Sequence, residues 1–265
     1  MEIKKNRFKE NLPPILLILA ILIFWELASI WFKIPDYLLP RPSQIVSISW
    51  LKRASLYGHL LVTLEEVLLG FLVGFVVGYI LALLMFFSET LRKALNPIVV
   101  ISQTVPVIAL GPILVIWLGY NIWPKIIIVA LIVFFPVTVN TFDGLVSCDP
   151  DLITLLKSMG ASKWQIFTKV QQMNALPFIT SATKVAITYS VIGAVVAEWI
   201  GSDKGLGAYI LQSNAQIRTP QMFAAILITS LMGILMFFIA QLAENLLIPW
   251  QKGGKQKRKR IATSS

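Results

Sequence analysis

The chain has 265 residues and a net charge of +10, with hydrophobic residues at 57% and charged residues at only 14%. A water-soluble surface carries more charge than that, and the mean hydropathy of +0.77 points the same way, so a soluble enzyme is excluded and lipid is the expected solvent. Cys148 and His59 are the only residues of their kinds, which also excludes an intrachain disulfide, a Cys/His zinc site and, for this chain alone, a bis-histidine haem.

A hydrocarbon layer about 30 Å thick takes about 20 apolar residues at 1.5 Å each. Six stretches qualify, so the sequence predicts an all-α, polytopic membrane protein with transmembrane helices over residues 12–32, 67–87, 97–118, 126–142, 176–200 and 222–243. Residues 1–11 read as a cytoplasmic amino-terminal segment, 12–245 as one transmembrane domain and 246–265 as a basic cytoplasmic tail. The first stretch follows a basic start, as a secretory signal would, but no small-x-small site comes before Trp31 and five more spans follow. It therefore reads as an uncleaved first helix.

With the amino terminus in the cytoplasm, the cytoplasmic pieces hold 15 Lys and Arg, the outer pieces seven, and Lys184 lies inside a span. This bias predicts both termini inside a cell membrane. Six of the 15 stand in the tail between Lys252 and Arg260, a stretch without acids, which reads as an anchor to anionic lipid worth about 1 kcal/mol per basic residue. No folded basic domain is in view, so nucleic acid is not an expected partner.

The second span repeats Gly70, Gly74, Gly78 and Ala82 at four-residue spacing. Such a stripe lets another helix approach closely. Pro106, Pro112 and Pro136 interrupt the third and fourth spans. The backbone groups they free need other partners, and two readings stand equal: a simple kink, or a helix that lines a pathway.

The segment 149–174 is neither a span nor a charged loop. Asp149 can cap a helix with Pro150 in first position. Leu152, Leu155, Leu156 and Met159 share a face, and Gly160 suits a left-handed helix end. Ser162 and Gln165 have the spacing of a capping box for a second helix, to which Trp164, Phe167 and Val170 give an apolar side. Pro177 is expected in the first turn of the fifth span. The result is a helix–glycine–helix elbow whose exposed apolar residues either pack on their own membrane domain or need a partner surface.

These residues resemble the cytoplasmic loop of ABC importer permeases. Gly160 and Val170 match its Gly-and-branched-apolar spacing, and Gly160, Ala161, Ser162, Trp164 and Phe167 match its Gly-Ala-Ser-x-Trp-x-x-Phe run. Thr154, Leu155 and Leu156 replace the usual Glu-Ala-Ala. Gln172 and Met173 replace the first Leu-Pro, while Leu176-Pro177 keeps a second. Leu39-Pro40-Arg41-Pro42-Ser43, Ser102 to Pro106, Trp117-Leu118-Gly119, Phe135-Pro136 with Asn140 and Gly144, and Glu198 with Gly205-Leu206-Gly207 resemble runs of nitrate, sulfonate and taurine permeases.

The resemblance implies a type I importer permease fold. Two permease chains, most simply two copies, would form the pathway, two cytoplasmic ATPase subunits would drive it, and an extracytoplasmic binding protein would deliver the solute. Thr154, Leu155, Leu156, Met159, Gly160, Ala161, Ser162, Trp164 and Phe167 would form the ATPase-coupling contact. The chain itself would hold no cofactor, with ATP and magnesium on the ATPase partners. Consistent with that, no Gly-x-x-x-x-Gly-Lys-Ser/Thr run occurs.

Polar groups inside spans are costly and often functional. Gln103, Thr104, Asn140, Tyr189, Ser190 and Glu198 are therefore candidates along the solute path, although hydroxyls also bond back to their own helix. Lys184 is expected near the cytoplasmic end, snorkelling. Glu198 is expected near the outer end, bracing the next loop through Gly207, and Glu26 reads as a packing or interface residue. The runs Lys157 to Gly160 and Tyr189 to Trp199 resemble permeases for pyrimidine precursors of thiamine, with sulfonate, taurine and nitrate members as the rival. A secondary transporter would need midplane ion sites, often on repeats, and none is evident. With His59 outside the predicted spans, a membrane protease of Ser–His type is disfavoured.

Overall fold

The computed structural model describes residues 3–249, with side chains from residue 12 onward. The basic tail from Lys252 to Arg260 lies outside the described residues, as do the side chains of the amino-terminal lysines. All described elements are helical. In chain order they are α1 (Ile3–Trp31), α2 (Pro42–Leu51), α3 (Arg53–Phe87), α4 (Glu89–Ser102), α5 (Val107–Leu118) and α6 (Trp123–Val146). Then follow α7 (Pro150–Ser158), α8 (Lys163–Ile166), a π-helical turn (Phe167–Gln171), α9 (Gln172–Glu198), α10 (Leu206–Ala215) and α11 (Thr219–Leu247).

Five helices are long and apolar enough to cross a membrane: α1, α3, α6, the continuous run Lys163–Glu198, and α11. The third predicted span differs, because α4 and α5 meet at 98° across residues 103–106. Pro106 has no N–H and biases the residue before it away from the helical region. Twelve residues of α5 rise only about 18 Å, so the two pieces count as a sixth crossing only as a pair. Two further expectations need correction. The second span begins at Arg53, not at 67, so His59 lies inside α3. His59, Thr63 and Glu66 lower the local hydropathy, but their side chains are taken up by partners within the protein. Pro177 is not in a first turn: α9 continues from α8 through the π-helical turn, and Pro177 is interior to it. The lost backbone bond is outweighed by burial of Ala175 and Ile179 with Leu145 and Phe167.

The centre of the fold is α6 packed between α3 and α9. The glycine stripe of α3 is buried, and a Cβ at Gly74 would stand 2.7 Å from the carbonyl oxygen of Ala130. The gap is filled by Val129, Val133 and Val137, which share a core with Val67, Ala186, Val191 and Met232. Thr138 also donates its hydroxyl to the Gly78 carbonyl oxygen at 3.1 Å. In contrast, α1 lies at the margin with most of its apolar side chains exposed. It is held where Ser43 donates from N–H and Oγ to the Glu26 carboxylate and where Trp25 meets Phe223 edge-on at 5.9 Å. Glu26 thus ties α1 to the start of α2.

Candidate functional site

Three regions and one separate carboxylate network carry the notable polar and exposed residues among those described. The first is a cavity of about 320 Å³ at the break between α4 and α5. Ser102, Gln103 and Val107 line it from the break, Ile132, Phe135 and Pro136 from α6, and Tyr189 from α9. Pro136 cannot donate to the Ile132 carbonyl one turn earlier, so that oxygen lacks its helical partner beside the cavity. The lining therefore combines two aromatic rings, an amide, two hydroxyls and a freed carbonyl. Of the sequence candidates, Gln103 and Tyr189 meet here. Thr104 is exposed at the break and donates to the Ile101 carbonyl oxygen at 2.8 Å. Asn140, one turn along α6, donates to the Pro136 carbonyl oxygen at 2.8 Å. Ser190 is buried and bonds back to Ile187 at 2.7 Å, the ordinary habit of a helical hydroxyl.

Glu198 stands apart from this group. It ends α9 beside α10, fully buried. Thr63 donates to one carboxylate oxygen at 2.6 Å, while the N–H groups of Gly207 and Ala208 donate to the other. Leu206 N–H in turn donates to Thr63 Oγ1 at 2.8 Å, and Gly205 N–H to His59 Nδ1 at 3.1 Å. The free N–H groups at the start of α10 are thereby satisfied by α3 and α9. Gly205, at φ +111°, leaves no room for a Cβ beside the carboxylate. The brace through Gly207 expected from the sequence is present in the geometry, widened to Thr63 and His59.

The second region is a pair of ion pairs between the long helices that sequence reasoning missed. Lys125 Nζ lies 2.9 Å from buried Glu66 and 2.8 Å from Ser202 Oγ. Lys184 Nζ lies 2.7 Å from Glu244 of α11, so its charge is met within the protein. Burial makes an unpaired ammonium costly, and a carboxylate within reach removes that cost. The available signal was thin: Lys184 alone lies inside a predicted span, while Glu66, Lys125 and Glu244 each stand one residue beyond the predicted end of one.

The third region is the elbow. The Asp149 side chain accepts from Asp151 N–H at 2.9 Å and Pro150 takes the first helical position. Gly160 has φ +81°. Ser162 and Gln165 cap one another, Gln165 N–H to Ser162 Oγ at 3.2 Å and Ser162 N–H to Gln165 Oε1 at 2.8 Å. Thr154, Leu155, Met159, Gly160, Ser162 and Trp164 are exposed, while Leu156 and Ala161 are half-buried. Phe167 is buried in its own membrane domain, so it is withheld from any surface that the other eight could offer. Leu156, Met159, Gly160 and Ala161 line one side of an open notch of about 380 Å³, with Gln165, Ile166, Lys169 and Val170 opposite. Cys148, just before the elbow, has its thiol pushed above the ordinary value by burial and then by the Asp149 charge, which makes it a poor nucleophile.

The comparisons agree with this geometry. The chain is 41% identical over 248 residues to the formylaminopyrimidine transport permease protein ThiX of Halalkalibacterium halodurans, covering 93% of this chain and 99% of that one. It is 33% identical over 243 residues to the riboflavin transport system permease protein RibX of Chloroflexus aurantiacus, covering 91% and 90%. With the putative aliphatic sulfonates transport permease protein SsuC of Bacillus subtilis it shares 30% over 239 residues, covering 89% and 87%. Among solved structures, a chain of the inward-facing MetNI methionine ABC transporter superposes with a TM-score of 0.64 at 19% identity, covering 76% of this chain and 98% of that one. That likeness speaks to fold alone, which is the type I ABC importer permease fold. Residues 74–251 match the family described as binding-protein-dependent transport system inner membrane component. The chain belongs to that family and is a non-catalytic permease component of an ABC importer in the inner membrane.

Proposed function

We propose that the chain lines the pathway for a small neutral heteroaromatic solute, of the class of the pyrimidine precursors of thiamine. The observation that carries this reading is the cavity at the α4–α5 break, where Gln103 and Tyr189 offer an amide and a ring beside Phe135. Aromatic faces stack on a pyrimidine, and the amide can both donate to and accept from its ring nitrogens and amino group. The similarity to a formylaminopyrimidine permease over nearly the whole length supports it. A sulfonate or nitrate would call for a free cation along the path. Among the described residues, Lys125 and Lys184 inside the long helices are both held by glutamates. Uptake by proteoliposomes holding the permease with its ATPase and binding protein tests the choice. Labelled formylaminopyrimidine or hydroxymethylpyrimidine should enter in an ATP-dependent, saturable way that excess taurine does not reduce. Saturable taurine or nitrate uptake that pyrimidines do not inhibit would sink the pyrimidine reading.

In this reading the elbow faces the cytoplasm with both chain ends, as the 15 to seven basic bias suggests, and docks on the ATPase through Thr154, Leu155, Met159 and Trp164. One chain supplies one elbow, and Gln103, Thr104 and Tyr189 are exposed on a single copy. Lipid is a poor solvent for such groups, so a second copy is expected to cover them and close the pathway. Impermeant thiol reagents give the check on intact cells, in a Cys148→Ser background. Asp203→Cys should be modified from outside and Lys163→Cys only after permeabilisation, while Thr104→Cys should cross-link to its counterpart in a second chain. Labelling of Lys163→Cys from outside would overturn the orientation, and absence of the cross-link the dimer.

A further inference from the structure

The elbow and the cavity share no lining residue, and a set of packed rings joins the elbow to the end of α3. Phe167 opens the π-helical turn that joins α8 to α9. Its ring centroid is 4.9 Å from that of Phe87, 5.9 Å from that of Phe86 and 5.5 Å from that of Trp164. Phe86 and Phe87 are the last residues of α3; Ser88 follows and caps α4. The far end of α4 is the break that borders the cavity. Trp164, one turn before Phe167, is exposed on the elbow. The cluster thus touches the elbow on one side and the corner that carries the broken helix on the other.

The π-helical turn has its own meaning here. Such turns are rare and occur mostly as single-turn insertions inside α-helices, frequently at functional sites. This one stands where an exposed segment passes into a buried one: Trp164 and Gln165 are exposed, and Ile166 and Phe167 are buried. We propose that Phe167 is a positioning residue that carries movement of the elbow to the α3–α4 corner, and that the π-helical turn is the joint about which the elbow tilts while the ring stays seated. The proposal rests on the reading of the elbow as the ATPase contact.

The test uses the full chain assembled with its ATPase in proteoliposomes, with Cys148→Ser and a reporter thiol at the cavity, Ser102→Cys. Maleimide labelling of the reporter is followed without nucleotide and after trapping with ATP and vanadate. The parent should show a change of about tenfold, the size of an ordinary coupling between sites. With Phe167→Ala the ATPase should still co-purify and hydrolyse ATP, but the change should shrink below about twofold. A second measurement excludes simple misfolding. The pair Phe87→Cys/Phe167→Cys should lose stimulation of ATP hydrolysis by the binding protein, regain it when a short bis-methanethiosulfonate joins the two thiols, and lose it again with reductant. An unfolded chain would not recover. A full labelling change in Phe167→Ala, failure of that variant alone to hold the ATPase, or no recovery on bridging would overturn the proposal. If the parent chain itself holds no ATPase, the reading of the elbow falls with it.

Discussion

A transporter carrying Gly160→Val is expected to reach the membrane and lose most of its ATP-driven uptake, while Gly160→Asn keeps a substantial part. Gly160 sits at φ +81°, where a β-branched residue is a genuine outlier and asparagine is among the tolerated exceptions. No atom lies within 4 Å of an added Cβ, so the expected effect comes from the backbone conformation rather than from a Cβ clash. Two hydrogen bonds depend on that conformation: Gly160 N–H to the Lys157 carbonyl oxygen and Ala161 N–H to the Leu156 carbonyl oxygen, both at 3.0 Å. The second is the long bond of a Schellman ending. A left-handed residue with a side chain costs about 1–2 kcal/mol, and the upper figure alone shifts an equilibrium about thirtyfold. The exposed α7 has no buried residue to hold it in place against that shift. Uptake by Gly160→Val equal to the parent, with the ATPase bound, would remove the elbow from the mechanism.

Glu198→Ala is expected to be the most destabilising single change in the half of the protein around α10, and Glu198→Gln a mild one. The alanine removes the acceptor of Thr63, Gly207 and Ala208 at once. The Thr63 hydroxyl can still donate to the His59 carbonyl oxygen at 3.2 Å, which leaves the two N–H groups; each buried group left without a partner costs about 1–3 kcal/mol, so a loss of about 2 kcal/mol or more is expected. Glutamine keeps an acceptor for the backbone N–H groups and presents an amide to Thr63. Thermal unfolding in detergent should show the alanine variant far below the parent and the glutamine variant close to it. Limited proteolysis should cut the alanine variant within residues 199–217. Equal melting temperatures for all three would show that the carboxylate does not hold α10.

The features legible in the sequence were local ones. Asp149-Pro150, Gly160 and the Ser162/Gln165 pair each signal their own backbone geometry within four residues, and each is found where it was expected. The stripe from Gly70 to Ala82 announces a close helix neighbour without saying which one, and α6 is the helix that fills it. Pairings across long separations were not legible. Lys184 and Glu244 are 60 residues apart, and Thr63 and Glu198 are 135 apart, so no local spacing relates them. Hydropathy also misplaced the start of α3, because it scores His59, Thr63 and Glu66 as exposed when they face partners. At the cavity, the prolines marked an irregular backbone, but the 98° angle between α4 and α5 is a relation between two helices that residue types alone do not encode.

The glycine groove of α3 also sets an order of events during synthesis. Its occupants, Val129, Val133 and Val137, lie about 60 residues further along the chain, the separation spanned by the bond from Thr138 to Gly78. At a synthesis rate of about 5–20 residues per second, α3 waits about 3–12 s for them. In that interval the bent α4–α5 pair emerges first, and the groove stands open to lipid or to the insertion machinery. Helix insertion and helix packing are therefore separate stages for this chain, and the centre of the fold closes only when α6 arrives.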